Sequence, residues 1–215
     1  MSSELGSWSP MDPDEVAHLL RRTEVPWWIA GGWAIDLHLG RRTRQHDDID
    51  VLVLRPHLAR LREQLAGWDV HAAGPPGTLR PWPVGEELPR GVHDIWCRPT
   101  STADWRLQLM VDDLVDDLVD AGAGGEQEWV YRRDARVRRA WRTLSGPAST
   151  AQWAVLAPEV QLLYKSAGPR AKDEADFAQV AEALDSSRRI WLIEALQLTD
   201  ATHPWIEQLR AVASP

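Results

Sequence analysis

WWIAGGWAIDLHLGRRTRQHDDIDVLVL, running from Trp27 to Leu54, sets an apolar run, a glycine pair, a helical pattern, a basic loop and alternating acids in unbroken succession. Trp27 to Ala30, after Pro26, reads as a short buried strand. Gly31-Gly32 opens a helix carrying Trp33, Ile35, Leu37 and Leu39, and Gly40 closes it as a C-terminal cap. Asp48 to Leu54 is rich in β-branched and apolar residues and reads as a second strand. Side chains alternate along a strand, so Asp48 and Asp50 point the same way, about 7 Å apart by backbone rise. Ile49, Val51 and Val53 then face the core. Two carboxylates at that spacing suit Mg²⁺, a hard cation that takes oxygen ligands. Backbone N–H groups at a glycine-opened helix start suit a phosphate, and Arg41, Arg42, Arg44 and His46 suit its charge. Each piece alone has a plainer meaning: a strand ending near solvent, a tight turn, a solvated loop. Their order points to nucleotide and metal at one place.

Outward from this stretch, Asp12 caps a first helix with Pro13 in its first turn and Glu15 three residues on, followed by Val16, Leu19 and Leu20. Downstream, a third helix is expected from Pro56 to about Ala66, then strands over Trp68 to Ala72, Val92 to Cys97 and Trp105 to Val111. Proline and glycine crowd residues Gly74 to Pro89, which reads as a long loop. VDDLVDDLVD, Val111 to Asp120, fits either an acidic helix or a strand end leading into a long hairpin that Trp129 to Arg132 closes. After Pro147 the pattern is helical, over Pro158 to Ser166, Ala171 to Leu184, Ser186 to Leu198 and His203 to Val212. The expected fold is α+β: a mixed sheet with flanking helices in an N-terminal α/β domain (1–146), followed by a helical C-terminal domain (147–215).

The bulk composition narrows the function classes. At 215 residues, 44% hydrophobic and 26% charged, the chain can bury a sizeable core. The net charge of −8 argues against broad nucleic-acid binding, which needs a basic field. No run reaches the ~18 apolar residues of a membrane span, the N-terminus MSSELGSWSPMDPDE has no basic apolar leader, and Cys97 is the single cysteine, which excludes an internal disulfide. These features point to the cytoplasm. Tryptophan is over-used, 13 against one Phe and two Tyr; Trp27, Trp28, Trp33 and Trp96 stand in apolar contexts that suit core packing.

The stretch resembles the polymerase-β-type nucleotidyltransferase superfamily, whose pattern is a hydrophobic residue, Gly-Gly or Gly-Ser, then Asp-x-Asp. More closely, GGWAIDLHLGRRTRQHDDID is similar to the aminoglycoside 2″-adenylyltransferases and related lincosamide nucleotidyltransferases, in the Gly-Gly-Trp-Ala-x-Asp start, the Gly-Arg turn and the Arg-x-His-x-Asp-x-Asp end. The resemblance implies a Mg²⁺-dependent nucleotidyltransferase that moves a nucleoside monophosphate, AMP from ATP, to a hydroxyl of a small molecule such as an aminoglycoside-like antibiotic. It assigns the nucleotide phosphates to Gly31 and Gly32 and Mg²⁺ to Asp48 and Asp50, with Asp47 facing away. Asp36, in the helix after the glycines, either anchors the basic loop through Arg44 or His46 or is a solvated acid. A second segment, APEVQLLYKSAGPRAKDEADF from Ala157 to Phe177, is similar to one found in bacterial stand-alone nucleotidyltransferases, including toxin-like ones; it makes Lys165 a candidate phosphate contact, with Lys172, Asp173 and Asp176 nearby.

Such enzymes carry a third carboxylate as general base or further metal ligand. Here the matching strand, WRLQLMV, offers Gln108, which cannot act as a base. Asp94, within the apolar strand VHDIW, is the preferred substitute because an acid there needs a reason; Asp112 is the other. The arginines from Arg132 to Arg139 read as a solvated strand more readily than as a binding stripe. Two alternatives stay open: a toxin-like enzyme acting on tRNA or protein, and a non-catalytic nucleotide-binding module.

Overall fold

The computed structural model describes residues 5–74, 77–115 and 127–212. Asp12 accepts the Glu15 N–H at 2.8 Å while the Glu15 carboxylate accepts the Asp12 N–H at 2.9 Å, a reciprocal cap that starts α1, Pro13–Leu20. β1, Trp27–Ala30, runs straight into α2, Gly31–Leu39, which Gly40 ends in the left-handed conformation. β2 is Asp50–Leu54, so Asp48 lies just before the strand rather than in it. A short 3₁₀ turn at Arg55–His57 precedes α3, Leu58–Gln64, so the helix expected from Pro56 starts two residues later.

β3, Asp69–Gly74, β5, Asp94–Arg98, and β6, Leu107–Val115, follow. The stretch from Gly74 to Pro89, expected as one long loop, contains β4, Thr78–Pro81, which pairs antiparallel with β3. Its proline is tolerated because β4 is the edge strand. The helical reading of the acidic run fails as far as Val115: Val111–Val115 continues β6, and ladder pairing to β7, Glu128–Val130, outweighs the 3.6-residue period. The rest of the run, to Asp120, lies outside the described residues. β8, Arg138–Ala140, pairs with β7.

The sheet order is β1-β2-β6-β5-β3-β4, with β7 joined to β6 and β8 to β7. Only β2 and β6 are parallel; the other pairs are antiparallel. Register places Asp50, Gln108, Trp96 and His71 in one row across one face, and Leu52, Met110, Asp94 and Ala73 in the next.

The opposite face carries Val51, Val53, Ile95, Leu109 and Val111, packed with Val16, Leu20, Leu58 and Leu61 of α1 and α3. On the first face, Trp28, Ala30, Leu52, Leu54 and Met110 share a second core with the C-terminal helices α4, Pro158–Ser166, α5, Ala171–Ala181, α6, Ser186–Thr199, and α7, Trp205–Ala211. α4 is buried on nearly every side, with only Lys165 partly exposed. β3 and β5 contribute no first-face residue to that core, and Ala73, Asp94 and Trp96 stay partly exposed. A cleft forms where the helix cover ends.

Candidate functional site

The cleft is built around the start of α2. Gly31 has φ +65°, and a Cβ there would collide with the Asp50 carboxylate. At Gly32 a Cβ would strike Arg44 and His46. The pair is therefore the space that lets Asp50 and the basic loop close on the helix end. The Gly31 N–H donates to Gln161 Oε1 at 2.7 Å, so this group, expected for phosphate, is engaged by a buried side chain of α4.

Asp36 pins the loop. Its carboxylate accepts the Thr43 N–H at 3.0 Å and the Thr43 hydroxyl at 2.5 Å, and lies 2.5 Å from His46 Nε2. Burial alone would raise the Asp36 carboxyl, but these hydrogen bonds hold it below the usual range. Of the two partners open to Asp36, His46 is the one it holds. His46 is buried against Trp33, with ring centroids 4.9 Å apart, and does not line the cleft. Arg44 does line it, 3.6 Å from Asp176. Arg41 is exposed and donates to Gln179 at 2.7 Å, outside the cleft, because α2 turns it toward α5.

The cleft has a volume of about 320 Å³, and Gly31, Gly32, Asp48, Asp50, Asp94 and Gln108 form one wall. Arg44, Arg132, Arg133, Lys165, Arg170 and Lys172 bring positive charge to it. Lys165 is bound to Asp173 at 3.1 Å and Asp176 at 2.8 Å, so part of its charge is spent before any phosphate arrives. Burial pushes Asp173 up, but hydrogen bonds from Arg170 and Lys165 override it and hold the carboxyl far below its ordinary value.

Asp50 behaves oppositely. Burial, then the charges of Asp48 and Asp94, raise its carboxyl to about 7, against the smaller pull of Lys165 and Arg132. Among the described residues no cluster of three His, Cys, Asp or Glu side chains gathers closely enough to hold an ion unaided. Two crowded carboxylates nevertheless fit Mg²⁺, which takes one or two protein carboxylates and completes its shell with water and phosphate oxygens.

The two candidates for the third carboxylate part company. Asp94 lines the cleft, and its Oδ1 accepts Gln108 Nε2 at 3.2 Å and Arg132 Nη1 at 3.4 Å. Arg132 also donates to the His93 carbonyl at 3.0 Å and lies over the Tyr164 ring. Asp112 shares the sheet face of Asp94 but is fully buried, accepting Trp129 Nε1 at 2.5 Å and the Tyr164 hydroxyl. Burial raises its carboxyl despite those bonds. Asp112 is thus not brought to the cleft: Trp129 of β7 and Tyr164 of α4 close over it.

Arg132, Arg133 and Gln161 were missed as site residues. The arginines read as a solvated strand because only folding turns the β7–β8 connection over the cleft, and Gln161 sits in a run whose pattern marks core. The Arg-x-Lys pair after Gly168, Arg170 and Lys172, was a signal within the second segment that was not followed to Arg170.

Residues 14–72 match the family model described as aminoglycoside-2''-adenylyltransferase. Curated proteins from Escherichia coli and Klebsiella pneumoniae, each called 2''-aminoglycoside nucleotidyltransferase, are 52% identical over 46 residues, which is 20% of this chain and 26% of theirs. The match therefore spans about a quarter of the length of those relatives. The crystal structure of the lincosamide antibiotic adenylyltransferase LnuA, lincomycin-bound, superposes with a TM-score of 0.51 at 16% identity, covering 80% of this chain and 96% of that one. That likeness shows the fold.

Proposed function

We propose, from a chain whose residues 14–72 match the aminoglycoside-2''-adenylyltransferase model, that the protein is a Mg²⁺-dependent nucleotidyltransferase moving AMP from ATP to a hydroxyl of a small molecule. The observation that carries this reading is the convergence of Asp48, Asp50 and Asp94 with Arg44, Arg132 and Arg133 on one cleft beside the start of α2.

Asp48 and Asp50 would hold magnesium, which when bound offsets triphosphate charge and favours departure of pyrophosphate. Gly32 and the following turn of α2 present the positive end of the helix to phosphate. Arg44 and Arg170 supply cations around the transferring group. Lys165 acts mainly through Asp173 and Asp176, ordering α5 beneath the cleft.

Asp94 takes the proton of the acceptor hydroxyl as its oxygen attacks the α-phosphorus. A new O–P bond forms, the bond from the α-phosphorus to the bridging oxygen breaks, and pyrophosphate leaves with that electron pair. Gln108 is no base, but it positions one: Gln108 and Arg132 both address Oδ1 of Asp94, leaving Oδ2 to meet the hydroxyl. The residue that cannot itself be the base becomes a support for it.

The test is acceptor-dependent release of pyrophosphate from ATP with Mg²⁺, over a panel of hydroxylated compounds including aminoglycosides and lincosamides, with total RNA as a further arm. Labelled nucleotide appearing on a small molecule supports the reading. ATP binding without transfer to any acceptor would sink it.

A further inference from the structure

Beyond Asp94 the cleft opens into a second recess of about 460 Å³ above the uncovered face of β3 and β5. Ala73 and Trp96 form its floor, Arg132 and Arg133 its rim, and Asp94 with Gln108 the wall it shares with the first cleft. A hydroxyl reaching Asp94 from the side away from Asp50 has to be carried by a molecule seated here. This step rests on Asp94 being the base.

The charge of this recess is unlike what a polycation needs. Asp94 is the one carboxylate among its described lining residues, and Arg132 already pairs with it at 3.4 Å. The next acid on that sheet face, Asp69, is held by Arg98 at 2.7 Å and His71 at 2.9 Å. A molecule with several ammonium groups would leave most of them beside guanidinium groups and without carboxylates. The floor is aromatic instead. Trp96 is fixed by edge contacts to Trp8 and Trp105, at 5.0 and 5.6 Å between centroids, yet stays partly exposed to the recess. Such a ring favours a flat or apolar flank. Arg133 is anchored through Nη1 to the Tyr164 carbonyl at 2.9 Å, which sets its guanidinium at the rim, a group whose planar fork suits a carboxylate or phosphate.

We propose that the acceptor is a hydroxylated anion with an apolar or aromatic flank: the flank on Trp96, the acidic group at Arg133 and the hydroxyl at Asp94. The same recess discriminates against polycationic acceptors.

The full chain, loaded with Mg²⁺ and a non-hydrolysable ATP analogue, is titrated with phenyl β-glucuronide, phenyl β-glucoside and tobramycin, following the Trp96 indole N–H resonance, assigned by Trp96→Phe or Trp96→Tyr. The glucuronide is expected to bind at least about tenfold more tightly than the uncharged glucoside, and tobramycin weakest. Arg133→Glu removes the advantage of the glucuronide over the glucoside, and Arg133→Gln reduces it. Tightest binding by tobramycin, equal binding of the two glycosides, or a Trp96 resonance that none of the three moves would overturn the proposal. If the expected order holds while ATP is transferred to no hydroxyl, the transfer chemistry fails and the pocket's preference stands.

Discussion

Asp94 and Asp112 lie on one face of the same sheet, yet they have opposite fates. Asp94 pairs across from Met110, and Asp112 is two residues further along β6. The first stands at the edge of the helix cover with Gln108 and Arg132 on one oxygen. The second lies under that cover, its Oδ2 accepting from both Trp129 and Tyr164. One step along a strand separates a carboxylate that can meet a substrate from one that locks the core. What decides is the element stacked above, not the strand pattern.

The comparison can be broken most sharply at Asp48 and Asp50, the proposed metal pair beside Asp94. Asp50→Ala is expected to lower acceptor-dependent pyrophosphate release by at least about 10³-fold. Because burial and its neighbours raise the Asp50 carboxyl to about 7, the same change should raise the melting temperature at pH 8. Activity retained in this variant would refute the assignment of Asp50. Asp94→Asn keeps the shape and removes the proposed base, so kcat should fall about 10²–10³-fold with nucleotide affinity little changed; equal losses in Asp94→Asn and Asp112→Asn would erase the distinction between the two acids.

Gln108→Leu removes one donor from Asp94 Oδ1 and should reduce kcat about tenfold with KM nearly constant, as the loss of a hydrogen bond to a charged group. A change confined to KM would place Gln108 in acceptor binding instead. Asp112→Ala belongs to the other side of the comparison. It strands the Trp129 N–H and the Tyr164 hydroxyl in the core, and chemical denaturation should show a loss of about 1–3 kcal/mol.

The smallest effect is on pH. The folded chain keeps a proton on Asp50 that the unfolded chain releases near the ordinary carboxylate value of 3.8, so the Asp50 contribution to stability falls as pH climbs from there toward 7. In the proposed reading magnesium would take the place of that proton. Its effect on the melting temperature should accordingly be greater at pH 8 than at pH 5.5 and vanish in Asp50→Asn; an increment independent of pH would place the ion elsewhere.

Local signals made much of this readable in advance. The bounds of β1, α2 and α4 follow from Pro26, the glycine pair, Gly40 and Pro158, because caps and breakers act within a few residues. The nearness of Asp48 and Asp50 to the glycine pair was legible for the same reason. Arg132, Arg133 and Gln161 were not, since nothing near them says which distant residue they will meet: Gln161 reaches Gly31 across 130 positions. β4 was hidden by its proline and glycine neighbours, which mark turns wherever they fall. Asp94 and Asp112 have the same sheet-face parity, so no periodicity could separate them. Only the long-range packing of β7 and α4 does.

Gly31 carries a further consequence. Its left-handed backbone and its closeness to Asp50 leave no room for even the smallest side chain. A lineage could therefore silence this site by gaining a single methyl group, while every acidic and basic residue around it remained in place. Descendants with alanine at this position and an intact Asp-x-Asp would look active on paper; the missing hydrogen at position 31 is the mark by which to tell them from working copies.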